Sequence, residues 1–236
     1  MRFNVHAGHN PAGKIACGAV GLLNESIENR KVKDEVIAQL HALGHTGYDC
    51  TENNGSGQSD VLKKIVAKCN AHAVDMDISI HFNSGAKDKA GNKKTTGVEV
   101  FVYSASSEAK AYAERVCAEI SALGFKNRGV KYSTSLYVLK HTKAPAMLIE
   151  CCFVDDKDDA EIYDYRKMAS AIVKGITGQV YQQPEETEPA GPDEETTVGD
   201  KEVLYRVQVG AYSIRENAEA MKEKLKAAGF DAFIAS

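Results

Sequence analysis

Short apolar runs alternate along this chain with longer stretches in which apolar positions recur every three or four residues. Phe3–His6, Gly47–Cys50, Asp77–Phe82, Val98–Tyr103, Leu136–Leu139 and Ala146–Glu150 read as strands. Between them, Glu25–Leu43 carries Ile27, Val32, Val36, Leu40 and Leu43 at helical spacing and stops at Gly44; Asp60–Ala73, Glu108–Leu123 and Tyr165–Ile176 repeat the pattern. Alternation of this kind predicts an α/β fold, a twisted, mainly parallel sheet flanked by helices on both faces.

The pattern breaks after Gly178. Residues 183–202 hold eight acids against one base and three of the five prolines, with almost no large apolar side chains. Such a segment cannot bury enough surface to offset the entropy of ordering it, and it reads as a charge-extended linker. The predicted organisation is a catalytic-size domain over 1–182, a linker over 183–202 and a small module over 203–236. The module shows a period-2 strand, Leu204–Tyr212, then an amphipathic helix through Ala218, Met221 and Leu225, then Phe233-Ile234. This βαβ unit has a core too small to stand alone; it pairs with another copy or belongs to a larger module.

Composition narrows the function classes. A formal charge of −4, concentrated in the linker, gives no basis for a nucleic-acid partner. No run approaches the roughly 20 apolar residues of a membrane span, so membrane insertion is not expected. The N-terminus enters strand-like sequence at Arg2-Phe3-Asn4-Val5 without a signal-peptide pattern, which implies a cytoplasmic location until the membrane is permeabilised or the cell lyses. The six cysteines show no CxxC pair and read as free, mostly buried thiols.

Four segments place chemistry at or near the end of an apolar run: His9 after Phe3–Ala7, Glu25 after Gly21-Leu22-Leu23, His81 in Ile78-Ser79-Ile80-His81, and Glu150 after Met147-Leu148-Ile149. Carboxyl ends of parallel strands converge on one edge of a sheet, so two histidines and two glutamates distant in sequence can meet there. Imidazole and carboxylate donors suit zinc, and a hydrolytic zinc site uses three protein ligands with an open position. His9, Glu25 and His81 are the candidate ligands, and Glu150 is the candidate general base. His6 rivals His9, although strand alternation turns it away, and Glu28 rivals Glu25 one helical turn on. His41 and His45 mimic a helical metal pair, but no glutamate follows His41 and Gly44 breaks the helix between them. His72 reads as a helix-end histidine. Cys151 and Cys152 invite a nucleophile reading and fit small core thiols better.

Gly8-His9, Gly18–Gly21 leading to Glu25, Ser79-Ile80-His81-Phe82-Asn83, Asn127-Arg128-Gly129-Val130, Leu136–Leu139 and Ala144–Glu150 followed by Phe153 occur in an order and spacing that resembles the zinc-dependent N-acetylmuramoyl-L-alanine amidases of the amidase-3 type. The resemblance implies a Zn2+ ion held by His9, Glu25 and His81, catalysis assisted by Glu150, and cleavage of the peptidoglycan amide between N-acetylmuramic acid and L-alanine. One departure stands at the first ligand, where His6-Ala7-Gly8-His9 replaces the common Asp-Pro-Gly-His. Cys152-Phe153-Val154-Asp155 is similar to the amidase domains of phage endolysins that attack Gram-positive hosts, which implies a phage or prophage endolysin. A sporulation amidase or autolysin, or a non-catalytic peptidoglycan-binding protein, are the alternatives. The tail, through Val207–Tyr212, Asn217–Leu225 and Gly229-Phe230, resembles part of a SPOR module, which implies binding to glycan strands. Arg128 reads equally as a substrate contact or as a surface partner for a carboxylate.

Overall fold

The computed structural model describes residues 1–182, 215–227, 229–230 and 233–234. The chain divides into two compact units, Met1–Pro184 and Glu185–Ser236. In chain order the first unit contains β1 (Arg2–Ala7), α1 (Glu25–Ala42), β2 (Thr46–Asp49), α2 (Gln58–Cys69), β3 (Met76–Asn83) and β4 (Val98–Val102). It continues with α3 (Lys110–Ser121), β5 (Asn127–Tyr132), α4 (Tyr137–His141), β6 (Ala146–Phe153), α5 (Lys157–Ile162) and α6 (Tyr165–Thr177). In the second unit the described element is α7 (Arg215–Ala227), where a helix was expected from Ala218, Met221 and Leu225. The predicted linker over 183–202 and the strand Leu204–Tyr212 lie outside the described residues.

The strands form one sheet in the order β2-β1-β3-β6-β4-β5. All neighbouring pairs are parallel except β4 with β6, which is antiparallel. The carboxyl ends of β1, β2, β3 and β6 therefore share an edge with the amino ends of β4 and β5. β1, β3 and β6 are almost wholly buried, as strands covered on both faces must be, and read as near-continuous apolar runs.

Alternation along β6 feeds two cores. Met147 and Ile149 join Val32, Val36, Leu40, Ile120 and Ile172 beneath α1, α3 and α6. Ala146 and Leu148 join Val61, Ile65, Val138 and Leu139 beneath α2 and α4. Helix starts follow the expected chemistry: Asp156 accepts from the Asp159 amide at the start of α5, and Asp164 accepts from the Arg166 and Lys167 amides at the start of α6. All six cysteines are free thiols, and five are buried.

Leu136–Leu139, expected as a strand, instead begins α4. Four apolar residues do not distinguish the two conformations. Here Ser133 Oγ accepts from the Leu136 amide at 3.2 Å and turns the chain, and Val138 and Leu139 bury against α2. β5 and α5 were not expected. β5 is a half-exposed edge strand whose sequence, Asn127-Arg128-Gly129-Val130-Lys131-Tyr132, has no apolar alternation.

Candidate metal centre

His9 follows β1, Glu25 opens α1, His81 lies near the end of β3 and Glu150 lies in β6 directly opposite His81. The sheet edge brings the donor atoms of His9, Glu25 and His81 within 4.8 Å of one another. Glu25 Oε1 stands 2.9 Å from His81 Nδ1 and 3.3 Å from His9 Nε2. Two ligands on a tetrahedral zinc ion with bonds near 2.0–2.1 Å are separated by roughly 3.3 Å, which the Glu25–His9 pair matches, while the Glu25–His81 pair is closer, at hydrogen-bond distance. The two imidazoles meet edge to face, with centroids 4.9 Å apart.

Glu25 is only 3% exposed, yet its carboxylate is fully engaged. Oε2 accepts from the Ala19 amide at 2.8 Å, and Oε1 accepts from the Phe82 amide at 3.2 Å. Burial alone would raise its carboxyl; the hydrogen bonds with His81 and then His9 outweigh burial and hold it well below the usual carboxylate range.

The loop from β1 to α1 is built for close approach. A Cβ on Gly8 would stand 2.0 Å from the His81 ring, and one on Gly18, at φ +68°, would stand 2.5 Å from Glu25 Oε2. His9 itself adopts φ +68°, a region sparsely used by non-glycine residues and typical of over-determined functional positions. Asn29 Nδ2 donates to Gly8 O and Arg30 Nη2 to His9 O, both at 2.9 Å, so two side chains of α1 fix the turn that aims His9.

Glu150 lines the same open cleft of about 400 Å³ as His9, Glu25, His81 and Asn83. Its Oε2 is buried without a hydrogen-bond partner. Burial first, then the charges of Glu25 and Glu99, push its carboxyl up to about 8. A buried carboxyl group with an unused oxygen, beside a His/Glu/His donor set, is placed to exchange a proton with a group in the cleft. His9, Glu25 and His81 therefore fit a metal ion such as zinc, with Glu150 in the same cleft.

The rival residues lie elsewhere. His6 is buried beside Ser79 Oγ at 3.5 Å, and burial lowers its imidazole to about 3. Glu28 accepts from Tyr163 Oη and pairs with Lys31. His41 bonds Gly47 O, His45 contacts the chain N-terminus and Gln179, and His72 stacks on Tyr48. Cys151 and Cys152 are buried in the core, with thiols pushed well above the ordinary range by burial. One neighbour went unnoticed in the sequence. Glu99, paired across the sheet with Glu150, is 7% exposed and accepts from both Asn83 Nδ2 and Arg128 Nε at 2.8 Å. A lone acid between Val98 and Val100 was the available signal.

The α/β sheet thus brings three potential metal donors and a carboxyl group with an unpartnered oxygen together at one edge, an arrangement suited to a metal-binding protein. Residues 4–180 match the N-acetylmuramoyl-L-alanine amidase family, and residues 185–236 match the SPOR domain. The chain belongs to that amidase family. It is similar to an uncharacterised 38.4 kDa protein of Clostridium perfringens, 34% identical over 89% of this chain and 61% of that protein. The chain thus spans less than two thirds of that relative's length. It is 27% identical to the sporulation-specific N-acetylmuramoyl-L-alanine amidase of Bacillus subtilis over 97% of this chain and 81% of that protein. Among solved structures, the catalytic domain of the CD27L endolysin targeting Clostridia difficile superposes with a TM-score of 0.67 at 26% identity, covering 77% of this chain and 99% of that domain.

Gly8→Ala is expected to keep the fold and weaken metal binding on the order of tenfold or more, because the new methyl displaces the His81 ring while the sheet is untouched. Zinc titration against a competing chelator, with circular dichroism as the fold control, checks this; unchanged affinity would mean that His81 does not depend on the Gly8 approach.

Proposed function

We propose that this chain hydrolyses the peptidoglycan amide between the lactyl group of N-acetylmuramic acid and the L-alanine of the stem peptide. The observation that carries the reading is the His9/Glu25/His81 cluster sharing one cleft with Glu150 in a chain of this family. His9, Glu25 and His81 would hold Zn2+. When bound, the ion supplies Lewis acidity toward water and the scissile carbonyl. Glu150 accepts the proton of the attacking water and returns it to the departing L-alanine nitrogen; its unpartnered Oε2 is the atom free to do so. Glu25, anchored by the Ala19 and Phe82 amides, keeps the donor set in place through turnover.

The SPOR match at residues 185–236 supports attachment to glycan strands, which makes the cell wall the partner. Among the described residues no helix is long and apolar enough to cross a membrane. In biological terms the reading is a phage or prophage endolysin that reaches the wall once the membrane is permeabilised, supported by the likeness to the CD27L catalytic domain. A sporulation amidase is the second reading, favoured by alignment with the Bacillus subtilis protein along 97% of the chain.

Digestion of purified Gram-positive cell walls by the zinc-loaded protein, with products identified by mass spectrometry, tests the bond. Release of intact stem peptides beginning at a free L-alanine amine, with glycans that keep their muramic acid carboxylate, is expected. New ends within the peptides, deacetylated sugars, or no release by folded, zinc-replete protein would each overturn the assignment.

A further inference from the structure

A row of ionisable side chains continues past Glu150 along one level of the sheet, beyond the residues that line the cleft. His81 on β3 faces Glu150 on β6, and Glu150 faces Glu99 on β4. In the β4–β5 pairing a register shift between Val98 and Val100 of β4 sets the β5 segment between Asn127 and Val130 against Glu99, and Arg128 Nε donates to Glu99 Oε2 at 2.8 Å. Residues opposite one another on neighbouring strands point to the same face, with strands about 4.8 Å apart. His81, Glu150, Glu99 and Arg128 therefore form a row that begins at the donor cluster and ends at a guanidinium.

Arg128 is held in an unusual way. It spends Nε on Glu99, which is fixed from its other oxygen by Asn83, a residue of the cleft wall. The guanidinium carbon lies over the Phe153 ring, 5.0 Å from its centroid, so the plane is fixed from below as well. Among the described residues no protein group pairs with Nη1 or Nη2, and the side chain is 33% exposed. A guanidinium anchored through Nε presents its two terminal nitrogens as a rigid fork, the geometry that takes a carboxylate bidentately. Neutralising Glu99 needs only a positive charge, whereas this anchoring leaves a pre-organised anion site beside the cleft.

We propose that Arg128 binds a carboxylate of the stem peptide, and that this contact makes the enzyme prefer a stem whose second residue carries a free α-carboxylate over one in which it is an amide. The proposal rests on the amidase reading above. With L-alanine at Glu150, a carboxylate on the following residue lies roughly 7 Å further along an extended peptide. The backbone of β5 is two strands, roughly 10 Å, from that of β6, and the long arginine side chain covers the difference.

The test uses the full zinc-loaded chain and two soluble muramoyl peptides that differ only at the second stem residue, D-glutamate against D-isoglutamine. Wild type is expected to favour the acidic peptide by about tenfold or more in kcat/KM, mainly through KM. Arg128→Lys keeps a cation for Glu99 and loses the fork, so the ratio should collapse to near one. A second variant, Arg128→Gln, keeps a neutral donor near Glu99 and should give the same collapse. No preference in wild type, or equal losses on both peptides in the variants with the ratio intact, would overturn the proposal and leave Arg128 a structural partner of Glu99. If wild type cleaves neither peptide, the amidase reading fails on its own. Calorimetric titration of both peptides onto the zinc-loaded protein then decides the Arg128 contact: tighter binding of the acidic peptide, lost in Arg128→Lys, supports it, and equal affinities overturn it.

Discussion

Glu150→Gln is expected to lower kcat on cell walls by roughly 10²–10⁴-fold, the range that general acid–base assistance supplies, while zinc still binds one to one. Glutamine keeps the shape and cannot accept the proton. The same substitution should stabilise the metal-free protein at alkaline pH. In the folded chain burial, aided by Glu25 and Glu99, raises the Glu150 carboxyl from 4.5 to about 8. Between those values the native state holds a proton that the unfolded state has lost, so stability falls as pH rises through that window. Glutamine does not titrate and escapes the penalty. Urea unfolding with chelator present should therefore show the variant no more stable than wild type at pH 4 and more stable by at least about 1 kcal/mol at pH 8.5. Turnover within a few-fold of wild type would remove Glu150 from the proton transfer. Equal stability at pH 8.5 would show that its buried Oε2 finds a partner in solution.

His9, His81 and Glu150 are legible in the sequence because each stands at or just past an apolar run. Phe3–Ala7 leads to His9, Ile78–Ile80 to His81 and Met147–Ile149 to Glu150, and strands buried on both faces announce themselves as apolar runs. Glu99 is not legible in the same way, because a parallel sheet gathers its ligand sites at the carboxyl ends of strands. β4 runs antiparallel to β6, so Glu99 and Arg128, each second in its strand, reach the same edge from their amino ends. That reversal leaves no mark in the local sequence. β5 was missed for a related reason: as an edge strand it buries little, and its polar composition reads as a loop. Leu136–Leu139 failed in the opposite direction, since four apolar residues satisfy a strand or one turn of helix equally. The choice was made by Ser133 and by the α2 surface, both outside the window.

Chelation should abolish wall digestion and lower the melting temperature, and Glu25→Ala should abolish the zinc dependence of both. Glu25 is the one anionic member of the donor cluster and sits between the two imidazoles, so its removal takes away both a ligand and the charge that offsets the cation. At free zinc about 100 times the dissociation constant, an ion that binds only the native state adds about 2.7 kcal/mol, which for a domain of this size is a rise of roughly 5–10 °C. The control is the apo protein, in which Glu25 remains hydrogen-bonded to His81, Ala19 and Phe82 and holds the loop without the ion. Wild type should therefore melt cooperatively in chelator at the lower temperature, whereas Glu25→Ala should melt at one temperature with or without zinc. Thermal melts of the two proteins across a zinc titration measure this directly. A zinc-dependent rise that survives in Glu25→Ala would place the ion elsewhere, and a wild type insensitive to zinc would mean that the three donors serve the hydrogen-bond network alone.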